Sequence, residues 1–135
     1  MQVQEAIRRE PQVERNMDLV RDLLVKIEGN QEMDYTRQFP ISNPALDIPG
    51  YSYDQLAYHA KLLLDNGYAK GDYRGPSISG LTWDGHEFLD SIKDTGIWEA
   101  TKQKLAGLPS VTLKVFASTA EAIGAAIIKK HLGLP

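Results

Sequence analysis

The chain has 135 residues, 42% of them hydrophobic and 24% charged, with a net charge of −3 and no cysteine. That length suits one domain with a single core, and the lack of thiols excludes disulfides and cysteine-ligated metals. Lys114 and Glu121 interrupt the most apolar stretch, so no charge-free run reaches the ~18 residues of a membrane span.

The first ten residues contain no apolar h-region of a secretion signal, and a cytoplasmic protein without a membrane partner is expected. Charge is unevenly spread. Residues 1–101 carry 10 Lys/Arg against 17 Asp/Glu, net −7, whereas residues 102–135 carry 5 against 1, net +4. Duplex DNA needs clustered cations to displace its counterions, so an acidic body weighs against DNA binding.

Residues 1–14 include Pro11 and no apolar stripe and read as an N-terminal extension. Asn16 is placed to cap a helix, with Asp18 in its first turn. Met17, Val20, Leu23, Leu24 and Ile27 then recur at helical spacing until Gly29-Asn30. Pro40, Pro44 and Pro49 forbid a long helix over residues 31–49. Met33, Tyr35, Arg37 and Phe39 alternate as in a short strand, Ser42-Asn43-Pro44 reads as a turn, and Leu46-Asp47-Ile48 is a second strand candidate. One of these is expected to pair with the hairpin that follows.

Ser52-Tyr-Asp-Gln55 is a capping box that opens a helix to about Asn66, with Gly67 supplying the left-handed stop. Residues 68–73 and 79–82 read as two strands around Arg74-Gly75-Pro76. Thr82 caps a further helix with Phe88, Leu89 and Ile92 on its inner side, and Asp94-Thr95-Gly96 breaks it before a stretch running to about Leu105. Ser110 is the expected cap of a last helix to Leu132. Its Leu113, Phe116, Ala120, Ile123 and Ile127 are spaced like a coiled-coil seam, which predicts a homodimer or a cover for the chain's own core.

This order defines the expected fold class: α+β, mainly helical, a winged helix-turn-helix with a short antiparallel wing and an added C-terminal helix. Residues 1–14 form the extension, 15–108 the winged-helix domain, and 109–135 the C-terminal helix.

Four segments carry a family resemblance: Asn16–Leu24, Tyr-His-Ala-Lys-Leu-Leu (58–63), Leu-Thr-Trp-Asp-Gly-His-Glu-Phe-Leu-Asp (81–90) and Ile97-Trp98. In these the chain resembles a family of short bacterial and phage proteins catalogued only as a domain of unknown function. The resemblance spans roughly residues 15–133 and implies a winged-helix-like fold, with many members in prophage regions and no activity attached. The N-terminal extension and a longer, proline-rich segment over 31–49 depart from the pattern.

Nothing in the chain anchors an enzyme reading. There is no Gly-x-Ser-x-Gly, Walker or Gly-x-Gly-x-x-Gly sequence. Asp84, Glu87 and Asp90 fall at a helix start, where the dipole favours carboxylates. His59, His86 and His131 form no ligand pair. His59 and His86 are expected to be helix residues hydrogen-bonded to a neighbouring element, so neither cofactor nor metal is expected.

The helix after Ser52 is the candidate recognition helix. At about 100° per residue, Leu56, Ala57, Ala60, Leu63 and Leu64 share a buried arc, while Asp54, Tyr58, Lys61, Leu62 and Asp65 face away. For double-stranded DNA the candidate contacts are Gln55, Lys61, Lys70, Tyr73 and Arg74. If the helix face meets a protein partner instead, Tyr58 and Leu62 are the contacts.

Overall fold

Asn16 starts the first helix through its side-chain oxygen, which accepts from the amides of Asp18 and Leu19 at 2.9 and 3.2 Å. In the computed structural model, which describes residues 13–135, this helix (α1, Met17–Glu28) buries Leu19, Val20, Leu23, Leu24 and Ile27. The expected N-terminal extension lies, up to residue 12, outside the described residues.

The proline-rich segment yields less strand than its alternation predicts. Only β1 (Phe39–Pro40) forms, because Tyr35 takes a φ of 73° and so leaves the extended region. The second strand candidate, Leu46-Asp47-Ile48, is not a strand. Asn43 accepts from the Ala45 amide at 2.9 Å and Pro44 holds a fixed φ, so Pro44–Leu46 closes into a 3-10 turn that buries Leu46.

Helix α2 (Tyr53–Asp65) begins at the expected capping box: the Gln55 amide donates to Ser52 Oγ at 3.2 Å and the Ser52 amide to Gln55 Oε1 at 2.8 Å. It ends at Asn66, and Gly67 follows at φ 73°. Strands β2 (Ala69–Asp72) and β3 (Ser77–Leu81) then form a hairpin whose turn is Tyr73-Arg74-Gly75-Pro76. The sheet is antiparallel in the order β1-β3-β2, with Phe39 opposite Ile78 and Lys70 opposite Gly80. An element from before α2 thus pairs with the hairpin, as the sequence led us to expect.

Thr82 caps α3 (Trp83–Ile92) by accepting from the Gly85 amide at 3.0 Å, and its hydroxyl donates to the Gly67 carbonyl. Gly85 lies so close to the hairpin entry that a side-chain carbon there would fall 1.9 Å from the Tyr68 carbonyl oxygen. Asp94 caps α4 (Thr95–Leu105) through the Ile97 amide at 2.9 Å.

The last helix, α5 (Leu113–His131), is capped by Thr112 rather than the expected Ser110. Thr112 is favoured because it places Val111 and Phe116 at the two positions of a hydrophobic staple, and both join the core. Helix α5 packs on α4 and α3, and buries Leu113, Phe116, Ala117 and Ala120 there. The result is a mainly helical α+β fold with one small three-stranded sheet. Among the described residues no helix is long and apolar enough to cross a membrane.

Candidate functional site

The hairpin turn is built by Asp72, whose Oδ1 accepts from the Arg74 amide at 2.9 Å and lies 3.7 Å from the Arg74 guanidinium. The Arg74 side chain is 92% exposed, so this pair leaves the cation available to solvent. Beside the turn, Lys61 of α2 holds its Nζ 5.2 Å from the centre of the Tyr73 ring. One cation–ring contact therefore joins the outward face of α2 to the hairpin tip. Lys61 and Tyr73 are thus in contact, with Arg74 next to Tyr73 in the turn.

Lys70 and Gln55 are engaged elsewhere. Lys70 pairs across the sheet with Gly80, and its Nζ lies 5.4 Å from the centre of the Tyr35 ring. That ring stands over Gly80, where an added side-chain carbon would meet it at 2.3 Å. Lys70 thus lies on the outer sheet face with Tyr35. Gln55 has its carbonyl oxygen committed to the Ser52 amide, which leaves the side-chain NH2 to contact a ligand. Tyr58 and Leu62 are half-buried, with Leu62 packed on the core and Tyr58 edge-on to His59 at 5.1 Å.

Tyr35 belongs to a polar chain that the sequence did not reveal. Its hydroxyl donates to the Leu81 carbonyl and sits 3.3 Å from His86 Nε2. His86 Nδ1 is 3.3 Å from Glu28 Oε2, and Lys93 Nζ is 2.5 Å from Glu28 Oε1. The Lys93 hydrogen bond outweighs partial burial and, with His86, holds Glu28 below the usual carboxylate range. The opposing glycine at residue 80 was the available signal for Tyr35, but a sequence does not say which aromatic would cover it. Trp83, at the first position of α3, is also exposed.

His59 is a structural clip. The Asn16 amide donates to its Nε2 at 2.8 Å, and Nδ1 donates to the Gln55 carbonyl at 2.7 Å. The ring is buried, so the neutral form is the one the fold accepts. Burial, countered in part by the Gln55 carbonyl and reinforced by Arg15, pushes its pKa down. Above the ordinary imidazole range, about 6.5, His59 is neutral in both states. As pH falls through that range the unfolded chain gains a proton that the folded chain refuses, so stability drops. Thermal unfolding should therefore show a falling midpoint between roughly pH 7.5 and 5.5. A His59→Gln variant, though less stable throughout, should lose that dependence. The acid-range loss from Glu28 lies lower, where carboxylates titrate, and is separate.

Among the described residues, no group of three His, Asp or Glu side chains could hold a metal ion, and no buried side-chain polar atom lacks a hydrogen-bond partner. The seam expected to form a dimer is divided: Leu113, Phe116 and Ala120 are buried against their own chain, Ile123 is half-buried and Ile127 is exposed. The first half of α5 thus completes the core rather than meeting a second copy.

A mainly helical α+β domain with a cation-bearing helix–hairpin face is what the fold and these residues define. The family model described as Hypothetical protein (DUF2513) matches residues 14–111, and the chain belongs to that family. An "Uncharacterized protein" of Haemophilus influenzae (strain ATCC 51907 / DSM 11121 / KW20 / Rd) is 31% identical over 96 residues, covering 67% of this chain and 76% of the relative. No solved structure matches the chain.

Proposed function

We propose that this chain is a non-enzymatic, winged-helix regulatory module of bacterial or prophage origin that binds double-stranded DNA. The observation that carries the reading is the Lys61–Tyr73 contact, which joins the face of α2 to the hairpin tip at 5.2 Å. The reading is supported by the order helix, strand, 3-10 turn, helix, hairpin, in which β1 pairs with the hairpin. In this reading α2 approaches a groove while Lys61, held against Tyr73, and Arg74 contact phosphates. Lys70 reaches the flanking backbone from the sheet face, and Gln55 offers its NH2 to a base edge.

A protein-interaction module using the same scaffold without DNA is the second reading. It is favoured by the half-exposure of Tyr58 and Leu62 beside Asp54 and Asp65. The two readings part in one experiment. Amide chemical shifts of the full chain, titrated with a short random-sequence duplex at low ionic strength, should move along α2 and residues 72–75. No movement, or movement confined to another face, would rule out the DNA reading.

A further inference from the structure

From Ile123 onward no residue of α5 is buried, and Ile127 and Ile128 are 51% and 59% exposed. Between these last turns and helices α3 and α4 lies a groove of about 400 Å³. Ile97, Gly124, Ile127 and Ile128 give it an apolar lining, and its rim carries Glu87 and Asp90 of α3 and Glu121 of α5. None of these three carboxylates forms an ion pair among the described residues. After Glu121 the chain has no acidic residue, while Lys129 and Lys130 follow directly on Ile127-Ile128.

The helix end is therefore the chemical complement of the groove: apolar with cations against apolar with carboxylates. It cannot enter its own groove, because the same continuous helix forms one wall of it and no proline allows a sharp bend back.

We propose that the groove takes the α5 end of a second copy of this chain, and that the exchange is reciprocal. Ile127 and Ile128 of each copy cover the apolar lining of the other, while Lys129 and Lys130 meet the rim of Glu87, Asp90 and Glu121. A reciprocal contact of this kind closes on a two-fold axis and gives a dimer, not a chain of copies. This surface stands independently of DNA binding and does not use Leu113 or Phe116, which are buried in the core.

Sedimentation velocity on the full chain, with paired charge reversals, tests it. The wild-type chain should be dimeric. Lys129→Glu/Lys130→Glu and Glu87→Lys/Asp90→Lys should each weaken dimerisation at least tenfold, with circular dichroism and melting curves like those of the wild type. An equimolar mixture of the two variants should recover a dimer, because each reversed helix end then meets a reversed rim. Should a reversed variant fold poorly, Lys129→Gln/Lys130→Gln should still weaken the dimer and reduce its dependence on salt. A wild-type chain that stays monomeric at high concentration overturns the proposal. So do reversed variants that remain dimeric, or a mixture that stays monomeric. Monomers that sediment only with phosphatidylserine vesicles would assign the basic helix end to a lipid surface instead, and the proposal would fall.

Discussion

Trp98→Ala should cost about 3–5 kcal/mol of unfolding free energy and lower the melting temperature by roughly 10–20 °C. Trp98 is buried and sits where three helices meet. Its indole Nε1 donates to Asp18 Oδ1 at 2.8 Å, tying α4 to α1, and its ring lies 4.9 Å from that of Phe116 on α5. Truncation leaves a cavity that these helices cannot close by sliding together, because α1 is fixed by its core face and α5 by its staple. It also removes a donor from Asp18. Burial pushes that carboxyl up, but the Trp98 and Lys102 hydrogen bonds and the charges of Lys102 and Arg21 hold it below the usual range. Trp98→Phe separates the two effects. It keeps most of the ring volume and loses the hydrogen bond, so its cost should be well under that of alanine. Urea unfolding of both variants checks this; equal losses would show that packing is not the main contribution.

Removing the cations of the helix–hairpin face should have the largest effect on binding. If the duplex is held as proposed, Lys61→Ala and Arg74→Ala should each weaken binding roughly tenfold at low salt, equivalent to about 1.4 kcal/mol. The loss should be uniform across sequences, since phosphates carry no sequence information. Each change should also flatten the plot of log affinity against log salt by about 0.9. Lys61 should have the greater effect of the two, because it contacts Tyr73 and its removal also frees the ring. Tyr58→Ala and Leu62→Ala should leave DNA affinity within about twofold. Under the protein-interaction reading the order reverses: the charge deletions do little and the Tyr58 and Leu62 changes abolish capture of the partner.

Most of the fold was legible because its boundaries are local. Asn16, Ser52 with Gln55, and Thr82 each cap a helix within three residues of themselves, and Gly67 ends one by its own φ. The hairpin and its extra strand followed from the turn sequence and the proline-rich segment before it. What stayed hidden depends on distant partners. Tyr35 leaves the extended region to lie over Gly80 and bond to the Leu81 carbonyl, 46 residues away, and this shortened the expected strand. Ser110 and Thr112 are both good caps, and only the packing of Val111 and Phe116 on the core decides between them.

The last helix shows a different limit. Its periodicity revealed that one face is covered, but no spacing of Leu113, Phe116 and Ala120 says whether the cover is the same chain or another. The candidate contacts were legible as types and not as a group. Lys61 meets Tyr73 because α2 and the hairpin tip lie side by side, whereas Lys70 points to Tyr35 because of its register opposite Gly80.

DNA binding through Lys61 and the hairpin is tested most directly by fluorescence anisotropy of a labelled random-sequence duplex, titrated with the full chain over a series of salt concentrations. Three phosphate contacts, from Lys61, Lys70 and Arg74, predict a linear fall of log affinity with log salt of slope about −2.7. The slope should be reduced in the Lys61→Ala/Arg74→Ala chain. Failure to retain any duplex at the lowest ionic strength, or a slope that the double substitution leaves unchanged, would contradict the account.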